Sequence, residues 1–282
     1  MAEDAKNRFH PIENLNRHNP GMTNRRRFLA GSLAAAAGAA APVSGQAPRS
    51  FEGRTDDLDR ELAGAMQRRL VIELKDEGLT KRMNSYLLDI GFHWSPPSRP
   101  AAKIESIVAY SFGNRLPAAG SKQILPDPGP VNEELANAAW LLHQKSHAPV
   151  YAQWEIARFL KEKHGLEDVV SIEPVVAKDG TITYLSTDGV AEAVVTHKGG
   201  NAASLGVVGV IGHKDHVKRC VLTSRARGMN AYVADGVELP VAYDPQSGQS
   251  WTRQRELYLI HDMAAQFMML RGERIAQEYP HG

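Results

Sequence analysis

The chain predicts an α/β protein built on a mainly parallel sheet with crossover helices. Three observations lead there. Apolar strand-like runs alternate with helix-like patterns from about residue 104 onward. The run at residues 205–211 is apolar on both faces and punctuated by Gly206, Gly209 and Gly212, as expected of a strand covered on both sides. That run then opens directly into a cluster of His, Lys, Asp, His, Lys and Arg, in VVGVIGHKDHVKRCVL.

The elements follow in order. Residues 1–47 form a signal region, a polar lead and then TNRRRFLAGSLAAAAGAAAPVSGQA. Arg25, Arg26, Arg27, Phe28 and Leu29 match a twin-arginine export signal, and residues 30–41 supply a short, mildly apolar segment. That segment is too short for a permanent membrane span, so the expectation is cleavage near residues 40–47 and a mature protein in the periplasm or another extracytoplasmic space. The alternative is a low-complexity Ala helix behind a basic triplet. Residues 48–100 read as a helical extension and a linker. Leu58, Leu62, Met66, Leu70, Leu74 and Leu79 recur at helical spacing, Gly78 marks a break, and the charged face mixes both signs like a solvated surface. GFHWSPPSRPAAK, at 91–103, carries three prolines and marks the boundary of a domain over residues 101–282.

Within that domain the strands fall at 104–111, 148–153, 169–172, 205–211 and 230–234. Helices fall at 132–145, 155–164, 187–196 and 214–227, and KDGTIT forms a hairpin turn with Asp179 and Gly180 at its tip. A last helix spans about 251–271. Its Leu257, Ile260, Met263, Ala264, Phe267 and Met268 return every three or four residues, which assigns that stripe to core packing.

Composition narrows the function. Lys and Arg number 33 against 32 Asp and Glu, a net charge of +1 that provides no general field for nucleic acid. The single cysteine, Cys220, cannot form an internal disulfide and reads as core. There is no G-x-S-x-G elbow, no G-x-G-x-x-G after the first strand and no Walker loop, and no motif specifies a cofactor.

In open parallel sheets, ligands bind where strands end and helices begin, because free amides and helix dipoles point there. The candidates are the polar groups at that rim. In SFGNR, Gly113 lets backbone approach a ligand, Asn114 donates or accepts, and Arg115 can clamp an anion; a solvated surface loop is the alternative. Glu155 opens a helix, where the dipole alone also explains it. Ser186, Thr187 and Asp188 read first as caps, with Thr187 within reach of a ligand. His213, Lys214, Asp215, His216 and Arg219 form the densest group. His216 and Arg219 are neighbours on a helix starting near Lys214 and suit a phosphate or carboxylate, with His216 as acid or base. The alternatives are a basic helix end facing solvent and a metal site at His213, Asp215 and His216, whose spacing matches no standard zinc pattern.

SFGNR, GPVNEELANAAWLL and VVGVIGHKDHVKRCVLTSRARGMNAYV together resemble the YdcF-like family, the SanA and ElyC relatives. The resemblance covers about residues 104–267, and its most specific piece is His216-x-x-Arg219 after a strand. Ser186 and Thr187 look like that family's polar segment, with Glu173 ahead of it. Where relatives carry a Ser-Gly-Gly turn, this chain has Ala152, Gln153, Trp154 and Glu155. The resemblance implies a three-layer Rossmann-like fold, a link to the cell envelope and, more loosely, nucleotide-like ligands such as S-adenosylmethionine. The function expected is therefore an exported domain that binds or processes an anionic small molecule or envelope precursor. The alternatives are a non-catalytic scaffold whose first and last helices dock on an envelope protein, and a metal-dependent hydrolase.

Overall fold

Why a short apolar run becomes a strand here is visible in the two layers that cover it. A computed structural model of the 282-residue chain describes residues 57–117, 125–177 and 182–280. The expected export signal lies outside the described residues. Two helices come first, α1 (Asp57–Leu74) and α2 (Glu77–Phe92), separated at Lys75 and Asp76 where the Asp76 carboxylate caps α2 by accepting from the Leu79 amide at 2.8 Å. The alternating segments then give β1 (Ser98–Pro100), β2 (Ser106–Ala109), α3 (Pro130–Ser146), β3 (Val150–Gln153), α4 (Trp154–His164) and β4 (Val170–Ile172). After them come the short antiparallel pair β5 (Val175–Val176) and β6 (Ile182–Thr183), then α5 (Thr187–His197), β7 (Val207–Ile211), α6 (Val217–Ala226), β8 (Asn230–Asp235) and α7 (Arg255–Glu278).

Six strands form one parallel sheet in the order β1-β8-β7-β2-β3-β4. Alternate residues of β2 feed opposite cores. Ile107 and Ala109 pack with α3 and α4, through residues such as Leu135, Leu142, Ile156 and Leu160, whereas Val108 joins α5 and α6 through Val190, Val194, Val217 and Val221. The protein is thus a three-layer, Rossmann-like α/β domain. From β2 the chain winds outward through β3 to β4, then crosses back to β7 and continues to β8. The winding direction reverses between β2 and β7, and their carboxyl ends border the crevice where such sheets bind ligands.

Several expectations are corrected. The segment at 91–103, expected to be linker, contributes β1, which pairs with β8 from Ser98↔Val233 to Pro100↔Asp235. Pro100 is tolerated because β1 is an edge strand, where a missing donor breaks no ladder. The hairpin expected around KDGTIT is present as β5 and β6, with its tip at 178–181 outside the described residues. The helix expected from Lys214 begins only at Val217, because the His213 carbonyl accepts from the His216 and Val217 amides and holds residues 213–216 in a tight turn.

The last helix is inverted relative to expectation. Its buried line is the polar set Tyr258, Asp262 and Gln266, while Leu257 is 41% and Ile260 62% exposed. Periodicity located the stripe but not the side facing inward. The inward side is polar because its groups bond to one another and to α6.

Candidate functional site

Three strand ends deliver the site. After β2, Asn132 of α3 anchors the loop: its Oδ1 accepts from the Phe112 amide at 2.8 Å and its Nδ2 donates to the Gly113 and Pro128 carbonyls at 2.7 and 2.6 Å. Gly113 sits at φ +69°, and a Cβ there would lie 2.7 Å from Thr252 Oγ1 and 2.8 Å from Ser247 Oγ, so glycine is required for both conformation and space. Paired backbone bonds between Arg115 and Asp127 close the base of the following loop. After β3, Gln153 Oε1 accepts from the Ser111 amide at 2.8 Å, stitching the β2 and β3 ends together. After β7 comes the His213–His216 turn.

The crevice between β2 and β7 is filled by the protein itself. Phe112 stacks on His213 with ring centroids 4.0 Å apart, Tyr258 of α7 lies 4.5 Å from Phe112, and Tyr243 meets His213 edge-on at 4.7 Å. His213 Nε2 faces the Ala242 carbonyl at 3.1 Å, and the Lys214 amide donates to Pro240 O at 2.9 Å. What remains beside Gly113 and Asn114, bordered by Pro128, Gly129, Asp244 and Ser247, is a shallow dimple with no room for even a water molecule.

The expected anion clamps already hold carboxylates. Arg115 donates from Nε and Nη2 to Asp244 at 2.7 and 3.1 Å, leaving its side chain 38% exposed. Arg219 donates from Nε to Asp262 at 2.6 Å, from Nη1 to Thr187 Oγ1 at 2.8 Å and from Nη2 to Tyr258 Oη at 3.2 Å. The Thr187 contact joins the start of α5 to α6. Ser186 caps α5 as expected, its Oγ accepting from the Gly189 amide at 3.1 Å. Asp215, a candidate metal ligand, instead receives Arg255 at 2.9 and 3.1 Å and the Tyr243 hydroxyl at 2.7 Å. Among the described residues no group of three or more His, Cys, Asp or Glu side chains is placed to hold a metal ion.

Asp262, absent from the sequence-based candidates, is the hub on the β7 side. Burial pushes its carboxyl up, but His216 and Arg219 outweigh that and hold it far below the usual carboxylate range. His216 is 5% exposed, and its Nδ1 lies 3.4 Å from Asp262 Oδ1. Burial first and the Arg219 charge second lower its pKa to about 4, so the imidazole is neutral near pH 7. Gln266 donates to Asp262 Oδ2 at 2.8 Å. The cluster is therefore charge-balanced: one guanidinium, one carboxylate and one neutral ring.

Glu155 behaves differently. It is 2% exposed in the first turn of α4, and burial, against the polar neighbours Asn114 and Ser111, raises its pKa to about 7. Tyr184 stands near enough that burial and the Glu155 charge together push its hydroxyl up to about 12. Glu155 Oε2, Trp154 Nε1 and His216 Nδ1 are three of only six buried side-chain polar atoms without a well-formed hydrogen bond among the described residues, and the last of them has the long contact with Asp262 instead. They sit at the ends of β3 and β7, the two strands flanking β2. Between β4 and α5 an open cleft of about 500 Å³ is lined by Ser171, Ile172, Glu173, Leu185 and Gly189, and the charge of its Glu173 reaches Glu155. No metal or cofactor is specified by any of these groups.

The structure thus brings Ser111, Asn114 and Glu155 together, and His216, Arg219 and Thr187 together, on either side of Phe112. Arg115 is tied into the Asp244 loop, and Lys214 is exposed. No family model, curated protein or solved structure matches the chain.

Proposed function

We propose that this is an exported, YdcF-like protein that binds a small anionic molecule at the carboxyl-terminal rim of its sheet and exchanges a proton with it through Glu155. The observation that carries the reading is the pair of unpartnered buried polar atoms, Trp154 Nε1 and Glu155 Oε2, where β3 ends and α4 begins on that rim. The positive end of α4 and the half-exposed edge of Arg115 attract an anion, while the ionised form of Glu155 repels it. Binding therefore favours protonated Glu155, which below about pH 7 is the prevailing form. His216, neutral and backed by Asp262, offers a second proton acceptor. Export rests on Arg25 and Arg26 followed by a short apolar stretch.

The test is a thermal-shift screen of phosphorylated, nucleotide and cell-wall ligands at pH 6 and pH 8, since a ligand that binds only the native state raises the Tm. The expected result is stabilisation by at least one anion that is larger at pH 6 and loses its pH dependence in Glu155→Gln. Failure of every anion at both pH values contradicts the reading, as does a hit indifferent to pH in the unaltered chain. Replacing Arg25 and Arg26 with Lys is expected to abolish export, and unchanged secretion contradicts that part.

A further inference from the structure

We infer that the outward face of α7 is a dimerisation surface whose partner is a second copy of this chain, paired antiparallel across Ala264. The helix is 24 residues long, about 36 Å, and its polarity is reversed. Its inner line, Tyr258, Asp262 and Gln266, is buried and polar. On the opposite side, at helical spacing, run Leu257, Ile260, Ala264 and Phe267, followed one turn beyond Arg271 by Ile275. Leu257 is 41%, Ile260 62% and Ile275 51% exposed, and Ala264 and Arg271 are exposed as well. A helix that keeps hydrogen-bonded polar groups inside and leaves an apolar stripe outside gains by covering that stripe.

The charges on this face select the partner. Glu256 flanks the stripe at its amino-terminal end, and Arg271 and Arg274 flank it at the other. A two-fold antiparallel pairing sets Glu256 of one copy against Arg271 of the other, twice over, and brings apolar side chains together between them. Parallel pairing would instead set like charge against like. An anionic lipid surface would favour basic residues at both ends, and Glu256 opposes that. Ala264 at the centre lets the two backbones approach, as small residues do in close helix crossings. The face points away from Asp262, so this inference is independent of the rim and its ligand.

The test is light scattering of the full chain after size exclusion, from about 1 to about 100 μM. A dimer of twice the chain mass is expected, and Ile260→Asp is expected to weaken it at least about tenfold while leaving the far-ultraviolet circular-dichroism spectrum unchanged. Glu256→Arg is expected to weaken it too, with recovery when Arg271→Glu is added. A monomer at every concentration, including one that sediments with anionic phospholipid vesicles, overturns the inference. So does a dimer indifferent to Ile260→Asp, or a charge-swapped pair that does not recover.

Discussion

Replacing Glu155 with Gln removes a carboxyl whose pKa moves from an ordinary 4.5 to about 7 on folding. A raised folded-state pKa means that the native protein binds this proton more tightly than the unfolded chain. Its contribution to stability is fully present below pH 4.5 and is lost as pH rises through about 7. Over that interval, at about 1.4 kcal/mol per pH unit, the loss is about 3 kcal/mol. His216 works in the opposite sense. Its pKa falls from 6.5 to about 4, so its contribution is present above 6.5 and is lost as pH falls toward 4, with a similar magnitude. The two slopes oppose one another between about pH 4.5 and 6.5, and burial of His213 and His261, which lowers their pKa as well, adds to the climb. Glu155→Gln therefore steepens the climb of stability with pH across this window, and His216→Gln makes it shallower. The assay is urea unfolding of each chain at half-unit steps from pH 4.5 to 7.5, read by circular dichroism. Parallel pH profiles for the unaltered chain and Glu155→Gln would refute the placement of a protonated carboxyl beneath the rim.

Other expectations follow from single contacts. Asp262→Asn leaves Arg219 buried without its carboxylate and is expected to cost about 3–5 kcal/mol in urea unfolding, the usual penalty for breaking a buried pair. Gly113→Ala strains a φ of +69° and forces its Cβ against Thr252 and Ser247, so a lower Tm of the order expected for about 1–3 kcal/mol should appear in a thermal melt. Lys218 of α6 is 3% exposed and donates to the Asp89 carbonyl at 2.5 Å and to its carboxylate at 3.1 Å, fastening α2 to α6. Lys218→Met is expected to speed amide hydrogen exchange across Glu77–Phe92 more than across β2 or β7.

Much of this architecture was legible because the sheet is covered on both sides. Buried parallel strands leave apolar runs such as VVGVI, and the crossover helices between them carry spacings that cannot be read as strands. The three-residue spacing of His216 and Arg219 likewise survived, although the helix starts after His216 rather than at Lys214, because the two side chains still meet on Asp262. What was not legible lies in pairings across long sequence distances. Asp262 is 43 residues from Arg219, and Asp244 is 129 from Arg115. A lone Asp on an amphipathic helix looks solvated until a buried guanidinium is placed beside it. For the same reason sequence alone predicts an inward apolar stripe on α7: periodicity separates two faces, and only the hydrogen-bonded set of Tyr258, Asp262 and Gln266 decides which one is buried. β1 was hidden by its prolines, which an edge position accommodates.

The ionisation of one side chain bears most directly on the reading of the rim. Carbon-13 NMR titration of the Glu155 side-chain carboxyl in the full chain should give a midpoint near 7, rising further when an anion that raises the Tm is added. A midpoint near 4.5, unmoved by that anion, would contradict it.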